Sequence, residues 1–570
     1  MIKRIFVTLF LTTLLLMESV AIAGSGLLFN VVATGTPANV NVTLCLNGLG
    51  PLSCQNYTVS ALTLTISPTI PNHVYPVIGI KINTPGYAFS TFGLDCKSGA
   101  VGYCLFSASQ NQAKTVSIVT QTTQAPQATL AASATPSSIV DGETAALSTT
   151  GGSGTGVVTY AVISGSSNCS ISGSTLTGTS VGSCAVTATK AADANYSATT
   201  SSPITVTVTV AMPVVSVGFD NNHAPLSYTS TNSGVAWALS TTQPPVDGSG
   251  AGILHGVACS GDGATCTTVG FDNNTVPLSY TSTNSGVAWA LSTTQPPVNG
   301  TGGGYLNGVA CSSDGATCTA IGSDSSTAPL SYTSTNGGVA WALSTTQPPV
   351  NSSGGGYLNG VACSGDGATC TAVGFDNNTV PLSYTSTNSG VAWALSTTQP
   401  PVNSSGGGSL YGVVCSSDGA ICTAVGFDNN DAPLSYTSTN GGIDWALSTT
   451  QPPDNGSGTG HLFGVACSSD GAICTAVGFD LTNTPLSYTS TNSGVTWALS
   501  TTQPPDNGTG GGFLNDVVCS SDGTTCVAVG SDNNSAPLSY TSTNGGIAWA
   551  LSTTQPPVND SGGGALTGVA

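Results

Sequence analysis

Residues 280–292 read YTSTNSGVAWALS, and near-copies begin at Tyr228, Tyr332, Tyr384, Tyr436, Tyr488 and Tyr540. Trp237, Trp289, Trp341, Trp393, Trp445, Trp497 and Trp549 stand 52 residues apart. A period of this size marks a solenoid or propeller, in which no unit buries its apolar face alone. One unit shows four strand-like segments: YLNGVAC (305–311), TCTAIG (317–322), PLSYTS (329–334) and VAWALS (339–344). In the last, Val339, Trp341 and Leu343 share one face and Ala340, Ala342 and Ser344 the other. Helices are excluded, because every unit is dense in Gly, Pro, Ser and Thr and has no long amphipathic stretch. Four strands in 52 residues predict an all-β chain whose residues 211–570 form a β-propeller.

The region opens partway through a unit, with VVSVGFD (214–220) aligned on CTTVGFD (266–272), and the last residues are ALTGVA (565–570). One unit is therefore split, and the expectation is seven blades, with the final strand completing the first. Such closure removes exposed sheet edges.

The segment STNSGVAW (282–289) and its six counterparts fit S-x-(D/N)-x-G-x-x-W. The pattern resembles the Asp-box (BNR) hairpin of sialidase-like propellers. That resemblance implies a turn between the third and fourth strands of each blade, tied by the polar side chain, with the Trp packed between sheets. Here Asn232, Asn284, Asn336, Asn388, Asn440, Asn492 and Asn544 stand where the family has Asp. Asn still supplies the local side-chain-to-backbone hydrogen bonds of such a turn. The box is a folding motif and carries no catalysis.

Six units contain C-S-(S/G)-D-G-x-x-C. The central Asp-Gly suits a two-residue hairpin turn, which would set the cysteines opposite one another. The expected pairs are Cys259–Cys266, Cys311–Cys318, Cys363–Cys370, Cys415–Cys422, Cys467–Cys474 and Cys519–Cys526. The spacing lacks the histidines of a usual zinc site. Eighteen cysteines also suit an oxidising compartment. Residues 1–23 read as a cleaved signal peptide: Lys3 and Arg4, an apolar run from Ile5 to Met17, then Ala21-Ile22-Ala23. The apolar run is shorter than the ~20 residues of a membrane span, and no later run is longer. The expectation is thus an exported protein: periplasmic, cell-surface or secreted.

Residues 24–124 alternate apolar and β-branched residues and read as a small all-β, sandwich-like domain, with Cys45–Cys54 and Cys96–Cys104 the local choice among three connectivities. Residues 128–210 resemble bacterial immunoglobulin-like domains. The C-x-(apolar)…G-x-C-x-V-x-A run, Asn195-Tyr196 and a last alternating strand carry that likeness. It implies a second sandwich, a Cys169–Cys184 bridge and a spacer role.

Only 5% of residues are charged. Residues 211–570 hold 20 Asp and no Glu, Lys or Arg, a formal −20, whereas four Lys balance four acids in residues 24–210. Nucleic acid is excluded as a partner, since phosphate recognition needs cations. Sialidase chemistry is excluded too, because its arginine cluster and glutamate have no counterpart after Glu143. Near-identical blades repeat a feature around a ring instead of converging different residues on one point. The expectation is therefore no enzyme and no cofactor. Calcium at the Asp-Asn-Asn runs beginning at Asp272, Asp376, Asp428 and Asp532 is the lesser alternative to a solvated turn. Repetition suits avidity. The loops at 271–275 and 298–304, with their counterparts, and the variable Asp247, His255, Tyr305, Tyr411, His461 and Phe513 are the binding candidates. The expected function is multivalent recognition of a glycan, protein or cell surface. A periplasmic scaffold is the alternative, and a degenerate glycosidase ranks last.

Overall fold

A computed structural model describes residues 124–570, apart from 247–251, 301, 353, 454–458 and 560–561. The expected signal peptide over 1–23, residues 24–123 of the expected N-terminal domain with their four cysteines, and Asp247 fall outside the described residues. The chain divides into two compact units. Met1–Ala132, Ser148–Ala161 and Thr187–Pro203 form one, and Ser133–Leu147, Val162–Val186 and Ile204–Ala570 the other.

In the first unit, the Asp193 carboxylate organises a loop. It accepts the backbone N–H groups of Thr155, Asn195 and Tyr196 at 2.6, 2.8 and 2.8 Å. These bonds favour the charged form and hold its pKa at about 2.

The second unit begins with short strands. Ser138–Val140 runs parallel to Ile204–Thr209, which also pairs antiparallel with residues 182–186. Cys169–Ser172 pairs with Thr175–Gly178, and the Cys169–Cys184 disulfide ties this hairpin to residues 182–186.

Seven four-stranded antiparallel sheets follow among the described residues, one per tryptophan; the first blade is that of Trp237 and the seventh that of Trp549. The third blade runs Gly304–Cys311, Cys318–Asp324, Pro329–Ser334 and Ala342–Leu343 from its inner to its outer strand. The first blade differs as expected. Its Val214–Asp220 is flanked by Pro225–Ser230 on one side and by Gly564–Val569, the last strand of the chain, on the other. Each inner strand touches the next, and Gly564–Val569 meets both Gly512–Cys519 and Gly252–Cys259, so the ring is closed.

The core lies between blades. Leu306, Val309, Leu330, Tyr332 and Trp341 of the third pack with Val269 of the second. Across the seam, Trp237, Tyr228, Leu226 and Leu566 pack on Val527 and Val529 of the seventh. Fully burying one such side chain is worth about 1.5–3 kcal/mol. At the outer rim, parallel bridges such as Thr294↔Ala340 join neighbouring blades, and Ala236↔Thr554 closes that belt as well.

One inner-strand residue marks the seam. Gly256, Gly308, Gly360, Gly412, Gly464 and Gly568 occupy equivalent positions, but the seventh blade has Asp516. Its Oδ2 accepts the N–H of Val569 in the closing strand at 2.9 Å, and its Oδ1 that of Val517 at 2.9 Å. Burial outweighs these two bonds and raises its pKa to about 7.

Candidate functional site

The repeated phrase is used up in holding the ring together. The Oδ1 atoms of Asn232, Asn284, Asn336, Asn388, Asn440, Asn492 and Asn544 each accept the N–H four residues on at 2.9 Å. The Ser two residues earlier donates to the same oxygen; in the second box Ser282 Oγ also accepts the Gly286 N–H at 3.0 Å. The Nε1–H groups of Trp237, Trp289, Trp341, Trp393, Trp445, Trp497 and Trp549 donate to a third-strand Ser of the preceding blade at 2.7–3.0 Å. Tyr332 OH donates to Pro297 O, and Gln347 brackets Ser331 through both ends of its amide. Every turn lies between a third and an outer strand.

The disulfides form as paired in the sequence: Cys259–Cys266, Cys311–Cys318, Cys363–Cys370, Cys415–Cys422, Cys467–Cys474 and Cys519–Cys526, with Cα atoms 4.0–4.1 Å apart. No described cysteine is free. The turn between them is wider than the two-residue Asp-Gly hairpin expected. Ser312 N donates to Thr317 O, which leaves residues 313–316 outside the ladder. A local bond closes the turn inside the loop, Gly315 N donating to Ser312 O at 2.7 Å, and the loop also reaches a neighbour, Ser313 N donating to Gly365 O of the next blade at 2.7 Å. The same bond recurs from Gly261 to Ser313, Gly365 to Ser417, Ser417 to Ser469 and Ser469 to Ser521. Asp314 closes the loop from within, accepting Ser312 Oγ–H and Ala316 N–H, and these bonds lower its pKa.

Both candidate loop families lie at the other end of the blades, since Gly304 N donates to Thr275 O across a blade boundary. There the Asp-Asn-Asn carboxylates are not solvated as expected: Asp272, Asp376, Asp428 and Asp532 are only 5–8% exposed. Asp532 shows why. Its Oδ1 accepts the N–H groups of Asn534 and Ala536, and its Oδ2 the amide of Asn507, so it anchors two loops at once. Among the described residues, no three His, Cys, Asp or Glu side chains are grouped to hold a metal.

What varies between blades gathers at this end. The start of each inner strand lies opposite the end of the second strand, as in Tyr357↔Phe375 and His461↔Phe479. The result is a run of half-buried rings over the fourth to seventh blades. Tyr357 lies 5.3 Å from Phe375, Tyr411 5.3 Å from Phe427 and Phe463 5.2 Å from Phe479, as centroids within one blade. Between blades, Phe375–Tyr411, Phe427–His461 and Phe479–Phe513 are 6.3, 3.8 and 4.6 Å apart. A shorter run joins His255, Phe271 and Tyr305. Ser323 and Ser531 stand where the other blades have Phe and interrupt the series. Of the residues singled out by their variability, His255, Tyr305, Tyr411, His461 and Phe513 all join these runs. Phe375, Phe427 and Phe479 open the counterparts of the 271–275 loop, whereas Tyr357 and Phe463 were not singled out; their signal is the register that puts them beside those rings. Burial lowers the pKa of His255 to about 4, so it is a neutral plate at pH 7. His461 instead meets the exposed Asp431 carboxylate at 2.9 Å.

No family model matches the chain, and no curated protein sequence is similar to it. Solved structures similar to it are β-propeller proteins. A GH74 xyloglucanase from Xanthomonas campestris is 13% identical over 57% of this chain, which spans 62% of that enzyme (TM-score 0.29). TolB from Acinetobacter baumannii is 14% identical over 50% of this chain and 62% of its own (TM-score 0.31). The SapL1 lectin, solved with alpha methyl fucoside, is 10% identical over 54% of this chain and 97% of its own (TM-score 0.38). At these scores the likenesses decide neither ligand nor chemistry.

Proposed function

We propose that the chain is an exported, non-catalytic recognition protein whose propeller presents one loop-bearing face to a glycan, protein or cell-surface ligand. The observation that carries this reading is a division of labour. The repeated residues are engaged in bonds within and between blades, whereas the variable aromatic residues gather, half-buried, at one end. Seven disulfides among the described residues support an extracytoplasmic setting. The Ser-x-Asn-x-Gly-x-x-Trp turns support kinship with Asp-box propellers, and the 128–210 segment is read as an Ig-like spacer. The Asp-Asn-Asn carboxylates at the loop face anchor backbone, which argues against glycoside hydrolysis by them, a reaction needing two carboxyl groups free to act on one bond.

A periplasmic assembly scaffold is the second reading. The exposed valines after the Pro-Pro pairs favour it: Val298, Val350, Val402 and Val558 are each about half exposed and recur around the rim. The deciding experiment applies the purified mature protein to an array of glycans and surface proteins, with calcium and then with chelator. Saturable binding is expected. Its absence in both conditions overturns recognition in favour of the scaffold, and loss with chelator alone restores calcium to the Asp-Asn-Asn loops.

A further inference from the structure

We propose that residues 138–143 form a strap across the closing seam of the ring, holding the seventh blade to the first independently of the last strand. This gives the segment ahead of the propeller a task beyond spacing. It does not rest on the recognition reading above.

The strap is the stretch SIVDGE. Ile139 and Val140 are buried, and Ser138–Val140 is fixed by its pairing with Ile204–Thr209, which leads into the first blade. Asp141-Gly142 then turns the chain, with Gly142 at φ +88° and Glu143 N donating to Val140 O at 2.9 Å. At one end of the stretch, Glu143 Oε1 accepts the Nδ2–H of Asn232 in the Ser-x-Asn turn of the first blade, at 3.0 Å. At the other, Ser138 O accepts the Oγ1–H of Thr543 in the same turn of the seventh blade, at 3.2 Å. These are the two blades that must meet for the ring to close. Residues 133–147 and the whole propeller belong to one compact unit.

Burial points to the same two turns independently of those bonds. Asn232 is half-buried, whereas its counterparts in the other six blades are exposed. Thr543 is likewise half-buried, and its six counterparts are exposed. Gly545 is fully buried, whereas Gly337 and Gly441 at the same position are only half-buried. Where another turn pairs its Asn amide, the partner is local: Asp444 for Asn440 and Thr496 for Asn492. Only the turns flanking the seam are covered.

The geometry also explains why a strap is useful there. Each of the six hairpin disulfides lies within one blade, so none crosses a blade boundary. The last strand joins the end of the chain to the first blade. The strap joins the chain ahead of the first blade to the seventh. Parting the two blades must therefore break both, and contacts made only in the closed ring add to the free energy of opening. The bond to the Glu143 carboxyl is the stronger of the two.

The test is hydrogen–deuterium exchange of the full-length protein at pH 7. It is read by mass spectrometry on Val214–Asp220 and Gly564–Val569 at the seam, and on Gly304–Cys311 and Cys318–Asp324 in the third blade. Glu143→Ala should speed exchange at the seam about tenfold, Thr543→Val about threefold and the double variant about thirtyfold, with the third blade unchanged. Glu143→Gln keeps an acceptor oxygen and should restore most of the protection. Thr335→Val, at the exposed equivalent of Thr543, should leave the seam as it is. Seam exchange in the double variant equal to wild type overturns the strap, because the last strand would then fray without the blades parting. So does acceleration shared equally by seam and third blade, or a seam response to Thr335→Val as large as that to Thr543→Val. The backbone bonds of Glu143, to Val140 O and from Gly178 N, do not involve its side chain, so the alanine variant keeps the turn. An unchanged thermal midpoint of the 304–324 hairpin exchange verifies folding, and Thr543→Val carries the test alone where Glu143→Ala fails it.

Discussion

Asp516→Asn is expected to remove a pH dependence localised at the seam of the ring. The carboxyl sits where six blades have glycine and holds the closing strand through Val569 N–H at 2.9 Å. Its pKa of about 7 in the folded protein lies above the ordinary 3.8. A raised carboxyl pKa contributes stability that is complete below the unfolded value and is lost as pH rises through the folded one. The window is therefore about pH 4 to 7. At 1.36 kcal/mol per pH unit the ceiling is about 4 kcal/mol. Asp516 remains partly accessible to solvent, so water relieves part of the penalty and about 2 kcal/mol is the working figure. The hairpin carboxylates Asp262, Asp314, Asp366, Asp418 and Asp470 titrate oppositely. Their serine partners lower their pKa values, so their contribution fades only below the ordinary carboxylate range. The assay is the thermal midpoint of wild type and Asp516→Asn at pH 4.5 and 7.5. Wild type should lose a few degrees more than the variant across that interval. Equal losses in both proteins would refute the reasoning, because the carboxyl would then not change its protonation in that window.

Other substitutions test the packing. Replacing Cys311 and Cys318 by alanine together should cost about 2 kcal/mol in chemical denaturation, the loop-entropy value for so short a bridge. Trp289→Phe removes the donor to Ser227 Oγ and should cost about 1–2 kcal/mol, read from the same curve. Gly286→Ala should cost about 2 kcal/mol or more: φ is +75° and the new Cβ would lie 2.7 Å from the Val215 methyls. Among the described residues the buried Ser323 hydroxyl has no hydrogen-bond partner, so Ser323→Ala should raise the thermal midpoint, by about 1 kcal/mol of stability.

The propeller was legible because its signals are local and repeated. A tryptophan every 52 residues, a turn pattern beside it and two cysteines seven apart each report on one blade, and Val214 showed which blade was split. The hairpin turn was misread because the Asp314 carboxylate takes up Ser312 Oγ–H and Ala316 N–H inside the loop and the ladder closes one pair earlier, at Ser312 and Thr317, which the Asp-Gly dipeptide alone does not reveal. The burial of Asp272 and its equivalents was missed for a related reason: a polar Asp-Asn-Asn run looks solvated until its amide partners are known. The aromatic run was half legible. His255, Tyr305, Tyr411, His461 and Phe513 stood out by differing from their counterparts, whereas Phe375, Phe427 and Phe479 entered only as the first residues of a candidate loop. Only strand register places the two sets side by side.

The seam where Val214–Asp220 meets Gly564–Val569 carries a mechanical consequence. Six hairpins are clasped covalently, whereas this one is held without a disulfide, by backbone bonds, apolar packing, Asp516 and side-chain hydrogen bonds such as Ser216 Oγ–H to Gly568 O and Asn515 Nδ2–H to Leu566 O. Under load or denaturant the annulus has a designated parting line. Opening there frees Gly564–Val569 while the six clasped hairpins keep their local structure. Because the edge it leaves resembles the edge on every other copy of the protein, a freed strand is equally suited to a second molecule. Strand exchange between rings, at high concentration and after partial unfolding, is the form of self-association that this architecture invites.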